Sequence, residues 1–143
     1  MEYKQTAFFD LVDCAIRLNK QNRKDETYYL LPIHHYYNEF CSIDINVGRQ
    51  IGKSAYIKSH ANINSLVYVY NKSNFEPSRI YEIGTHRDLI FPNNRFRGRS
   101  FRHIDTVYID EGSFISRVNR IDLFKQIALC TGNKKDITFV FLG

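Results

Sequence analysis

The segment Val47 to Ser54 reads VGRQIGKS, and Gly52, Lys53 and Ser54 at its end are the residue types that handle phosphate. A phosphate cradle needs glycine where a Cβ would collide with the anion. It turns backbone N–H groups toward the phosphate and adds the positive end of the following helix. Lys53 is suited to reach the β- and γ-phosphates as a mobile point charge, and the Ser54 hydroxyl to ligate magnesium. The generic loop, Gly-x-x-x-x-Gly-Lys-Ser/Thr, has glycine where this chain has Val47, and the first glycine comes one place later, at Gly48. A chance Gly-Lys-Ser at a helix start is the competing explanation. The candidate nucleotide-binding set is Gly48, Arg49, Gln50, Ile51, Gly52, Lys53 and Ser54, with ATP and Mg2+ as the expected cofactors.

A second constellation lies further along, in Thr106 to Glu111, reading TVYIDE. Apolar residues running into an acidic pair are what a buried strand shows when it delivers carboxylates to its C-terminal end. Asp110 is then expected to hold magnesium through water, and Glu111 to polarise an attacking water as general base. The bland alternative is a pair of solvated carboxylates. A third stretch, Asn94 to His103, places Arg95, Arg97, Arg99 and Arg102 around Phe96 and Phe101. Cations interleaved with aromatics suit nucleic acid through phosphate neutralisation and stacking. A plain loop with solvated arginines accounts for the same composition.

These residues need elements to hold them. Apolar positions Phe8, Leu11, Ala15 and Leu18 predict an amphipathic helix over Thr6 to Leu18. Asn19 to Glu26 reads as a surface loop, and Thr27 to Phe40 contains a second short helix with Pro32 in its first turn. Cys41 to Val47 reads as a strand, Gly48 to Ser54 as the loop and Ala55 to Asn62 as a helix. Ser65 to Tyr70 is a dense run of β-formers, followed by a polar turn at Asn71 to Asn74. Glu76 to Ile90 is expected to be helical, although Gly84 opposes it. Thr106 to Ile109 forms a strand, Ile121 to Cys130 a helix and Ile137 to Leu142 a last strand. Strands alternating with helices imply an α/β fold with a mainly parallel sheet.

The chain has 143 residues, room for one domain, with residues 1–40 as a helical flank and 41–143 as the nucleotide-binding core. Hydrophobic residues are 43% of it, with 11 Phe and 10 Tyr, which allows a sizeable core without disulfides. Cys14, Cys41 and Cys130 are widely spaced and odd in number, which argues against a disulfide framework or a zinc site. All three are expected to be buried thiols in a reducing compartment. No apolar stretch is long enough to span a bilayer and no signal-peptide core is visible, so a cytoplasmic protein without membrane contact is expected. The formal charge of +5 favours a polyanionic partner.

The run NVGRQIGKS, Asn46 to Ser54, resembles the phosphate loop of large terminase subunits, the phage DNA-packaging motors, whose variant also lacks the first glycine. In that family an Arg-Gly precedes an aspartate and then a hydrophobic-Asp-Glu strand; here Arg97-Gly98, Asp105 and Asp110-Glu111 follow in that order. The resemblance covers about Leu31 to Leu142. It implies a three-layer P-loop NTPase (RecA-like) core, ATP hydrolysis in viral DNA handling and a host cytoplasmic location. It implies that Arg49 acts on the γ-phosphate in the manner of an arginine finger, making Glu111, Lys53 and Arg49 the catalytic candidates. The family's adenine-reading glutamine near a proline has no match: Pro32 is followed by His34 and His35, which could stack on a base or pack together.

Terminases continue beyond the strand corresponding to Ile137 to Leu142 with a coupling motif, further elements and a nuclease domain. The expectation is therefore a core incomplete at its C-terminus, with an exposed last strand that invites self-association or a partner subunit. Two function classes remain open at this point. One is a Mg-dependent ATPase of the terminase or helicase type. The other is a non-catalytic nucleotide or nucleic-acid binding module completed by a partner.

Overall fold

A computed structural model describes residues 3–23, 31–48, 51–69, 75, 81–85 and 101–143. In chain order its elements are α1 (Tyr3–Asn22), α2 (Ile33–Phe40), β1 (Ser42–Ile45), α3 (Lys53–His60), β2 (Ser65–Val69), β3 (Glu82–Thr85), β4 (Thr106–Asp110), α4 (Arg117–Thr131) and β5 (Thr138–Leu142). A short 3-10 turn, Gly112–Phe114, links β4 to α4. The five strands form one sheet in the order β1-β5-β4-β2-β3, and every neighbouring pair is parallel.

Strands β2 and β5 are buried along their whole length, as a sheet covered on both faces requires. On one face Phe8 and Val12 of α1 and Tyr56 and Ile57 of α3 meet Ile43, Ile45, Val67, Val69, Val140 and Leu142. On the other, Tyr37 of α2 and Leu123, Phe124 and Ile127 of α4 meet Leu66, Ile109, Phe139 and Phe141. Alternate strand residues thus feed two cores, giving three layers. Phe124 stands edge-on to Phe139 at 4.9 Å between ring centroids.

Several elements differ from what the sequence predicts. Helix α1 runs to Asn22, so Asn19–Asn22 is helical where a loop was expected. Arg23, just beyond it, donates from Nη1 to the Ile137 carbonyl and from Nη2 to Thr138 Oγ1 at 2.8 Å, tying the helix end to the start of β5. Pro32 caps α2 one residue before its first turn. Within the expected helix Glu76 to Ile90, Glu82–Thr85 is instead an edge strand paired with β2, Ile83 beside Val67 and Gly84 beside Tyr68. Its stability comes from that pairing, which no local pattern encodes.

The expected exposed last strand is also corrected. Strand β5 lies between β1 and β4, with helices over both faces, so the sheet edges among the described strands are β1 and β3. Of the three cysteines only Cys41 is buried; Cys130 is half-buried and Cys14 is exposed, because it lies on the side of α1 opposite Val12. Among the described residues no helix is long and apolar enough to cross a membrane.

Candidate functional site

Parallel strands bring their C-terminal ends to one edge. Ile45 of β1 is level with Leu142 of β5, and Leu142 with Asp110 of β4, so the three strand ends form one row. The chain leaves β1 at that row toward Gly48, and α3 begins at Lys53, while β4 delivers Asp110 and Glu111 there. Helix α3, which follows β1, lies on one face of the sheet; α4, which follows β4, lies on the other. Connections that part to opposite faces open a crevice beyond the strand ends, where ligands of open α/β sheets bind.

Two glycines of the loop have positive φ. Gly48 has φ +110, with nothing within 4 Å of where a Cβ would stand, and Gly52 has φ +101 as the N-cap of α3. Both values favour glycine, and at Gly52 a Cβ would also lie 2.9 Å from Cγ of Gln5 on α1. Ile51 packs against the apolar cluster beneath α1 and α3. Arg49 and Gln50 lie outside the described residues.

Lys53 and Ser54 open α3 and turn toward the strand ends. The Lys53 ammonium donates to the Gly143 carbonyl at 2.8 Å and to Glu111 Oε1 at 3.4 Å. The Ser54 hydroxyl donates to Asp110 Oδ2 at 3.3 Å. The other Asp110 oxygen accepts the Glu111 backbone N–H at 3.1 Å. Residues separated by more than fifty positions in sequence thus converge, lysine on one carboxylate and serine on the other.

Asp110 is only 4% exposed. Burial pushes its carboxyl above its ordinary value of 3.8, and the neighbouring Glu111 charge pushes the same way; Lys53, the Ser54 hydroxyl and the Glu111 N–H oppose both. Such a perturbed carboxylate in a crevice marks a functional candidate. Glu111 itself has φ 53 and ψ 44, in the left-handed region that costs a residue with a Cβ about 1–2 kcal/mol. Backbone strain of this kind gathers at functional sites. The next residue, Gly112, is packed so closely on β5 that a Cβ there would stand 2.9 Å from Cβ of Phe141.

Ser54 and Asp110 are the paired oxygen donors of the site. Among the described residues no cluster of three or more His, Cys, Asp or Glu side chains could hold an ion. A divalent cation beside Ser54 and Asp110 would draw most of its ligands from phosphate oxygens and water, as magnesium does.

The remaining candidates are elsewhere. Arg95, Arg97 and Arg99 lie outside the described residues. Arg102 is exposed and precedes β4, at the opposite end of that strand from Asp110. Its Nε lies 3.4 Å from the Cβ position of Gly132, the C-cap of α4, where the helix dipole favours a cation. His34 and His35 lie against each other with ring centroids 4.5 Å apart and the rings tilted by 39°, and burial, followed by the charges of His35 and Lys125, lowers the His34 pKa. Sequence reasoning missed Gln5, the Gly143 carbonyl and Phe141. Each meets the site through a contact distant in sequence, with Gly52, Lys53 and Gly112 respectively, and carries no motif of its own.

Set against known proteins, the chain matches no protein-family model, no curated protein and no solved structure.

Proposed function

We propose that this protein binds ATP with magnesium at the crevice above β1, β5 and β4 and hydrolyses it. One observation carries the proposal: Lys53 and Ser54, at the start of α3, meet Glu111 and Asp110, at the end of β4, at 3.4 and 3.3 Å. The backbone between Gly48 and Lys53 would wrap the β-phosphate, and Lys53 would exchange its contacts with Gly143 and Glu111 for phosphate oxygens. Ser54 and Asp110 would hold magnesium, which when bound neutralises charge on the phosphate oxygens. Glu111, released from Lys53, orients a water for in-line attack on the γ-phosphorus and takes up its proton while the bond to the bridging oxygen breaks. The left-handed backbone of Glu111 and the close seat of Gly112 on Phe141 fix where that carboxylate stands.

The resemblance of Asn46 to Ser54 and of Asp110-Glu111 to large terminase ATPases supports the same reading at the level of short motifs. It extends the proposal to viral DNA handling, with Arg49 on the γ-phosphate and Arg95 to Arg102 as the nucleic-acid candidates. A second reading, nucleotide binding without turnover, is favoured by the Lys53–Glu111 ion pair, which occupies the candidate base. Titration with labelled ATP separates both nucleotide readings from a chance Gly-Lys-Ser, and turnover then separates the two. Wild type is expected to bind only through a functional loop, with Lys53→Ala losing binding. Equal binding by wild type and variant would remove the loop from the account.

A further inference from the structure

We propose that the outward face of α1 is a self-association surface, pairing in antiparallel fashion with α1 of a second copy of this chain. The helix has two apolar sides. Phe8 and Val12 turn into the sheet core. Tyr3, Ala7, Leu11, Cys14 and Leu18 follow each other at steps of four, four, three and four residues, and all five are exposed. At about 3.6 residues per turn, those steps hold the five side chains in one stripe. Leu11 is 44% exposed, Leu18 57% and Tyr3 86%, large for apolar side chains on a helix whose other side is already in a core. From Ala7 to Leu18 the four-three-four spacing is the one with which two helices interlock side chains.

Charge selects the occupant and the direction. Asp10 and Arg17 are both exposed on one flank of the stripe, and neither has an ion-pair partner among the described residues. At about 1.5 Å of rise per residue they stand roughly 10 Å apart along the axis, too far to pair with each other. Set two copies of α1 antiparallel with Leu11 opposite the partner's Cys14. Ala7 then meets the partner's Leu18, and Asp10 comes within about 3 Å, along the axis, of the partner's Arg17. The twofold symmetry of such a contact repeats each of these pairs. A parallel pair puts the two flanks on opposite sides and leaves both charges without a counterpart. One helix face falls short of the roughly 800 Å² per partner of a standard stable interface, so the dimer is weak and concentration dependent. This inference stands apart from the nucleotide reading.

The test uses the full chain in sedimentation velocity from micromolar to millimolar concentration, with circular dichroism to verify folding of each variant. Wild type is expected to shift toward dimer as concentration rises. Asp10→Arg and Arg17→Asp alone each weaken the dimer by roughly three- to tenfold, and the double variant recovers it. On mild oxidation Leu11→Cys is expected to give a covalent dimer that disappears when Cys14→Ser is added. Monomer at every concentration without cross-linking overturns the proposal. So do single charge variants that sediment like wild type, or wild-type chains that cross-link through Cys14 as readily as Leu11→Cys, the sign of a parallel pair.

Discussion

Asp110 is held where a carboxylate is costly, buried at a strand end and next to Glu111, with its carboxyl raised above 3.8. Between that value and its raised folded value, the folded protein binds more protons than the unfolded one, so stability falls as pH rises through the window. Above the window the cost is fully present. Asp110→Asn, which keeps an acceptor for the Glu111 N–H, can donate to the Ser54 hydroxyl oxygen and carries no charge, is therefore expected to raise the thermal midpoint of ligand-free protein at neutral pH. The gain should shrink as pH falls toward 3.8, and thermal melts across pH read it directly. A lower midpoint at neutral pH would mean that the charge is needed for folding and that the site is structural. Glu111 behaves differently at the same scale: its carboxylate is the candidate base, so Glu111→Gln should keep ATP binding and lose turnover by about a hundredfold or more.

The elements that hold the candidate site were legible because the glycine loop and the acidic pair are both local signals. Gly-Lys-Ser at a helix start marks α3, and four apolar or β-branched residues before Asp110 mark β4. What was not legible depends on partners distant in sequence. Glu82–Thr85 is a strand because β2 lies beside it, and the end of α1 is fixed by Arg23 reaching residues more than a hundred positions away. The place of β5 between β1 and β4 likewise follows from crossovers that no strand's own sequence records, and it leaves β5 buried along its whole length where the sequence left the last strand uncovered. Gly112 belongs to this class, since only the fold puts it against Phe141 Cβ at 2.9 Å and Cα at 3.2 Å. Backbone on β5 cannot yield as a flexible side chain can. Gly112→Ala is expected to cost roughly 1–3 kcal/mol in denaturant unfolding. It should also depress turnover more than binding, because it displaces Glu111 and leaves the loop intact. A neutral effect on both would show that the turn after β4 has slack and does not position the carboxylate.

For the whole molecule, the parallel sheet sorts residues by end. Gly48, Gly52, Lys53, Ser54, Asp110, Glu111 and Gly143 gather at the C-terminal edge of β1, β5 and β4, whereas Arg102 stands at the other end of β4. Any nucleic acid held by Arg102 would therefore lie at the end of β4 away from the candidate site. Strand β4 spans the two ends, with Val107, Ile109 and Asp110 all buried. The central claim is that Lys53, Ser54, Asp110 and Glu111 form one ATP site, and Mg-dependent ATP turnover by wild type beside Glu111→Gln tests it most directly. The account predicts phosphate release by wild type that needs magnesium and is lost in the variant while ATP binding persists. Turnover that survives in Glu111→Gln, or wild-type protein that neither binds nor hydrolyses ATP, would contradict it.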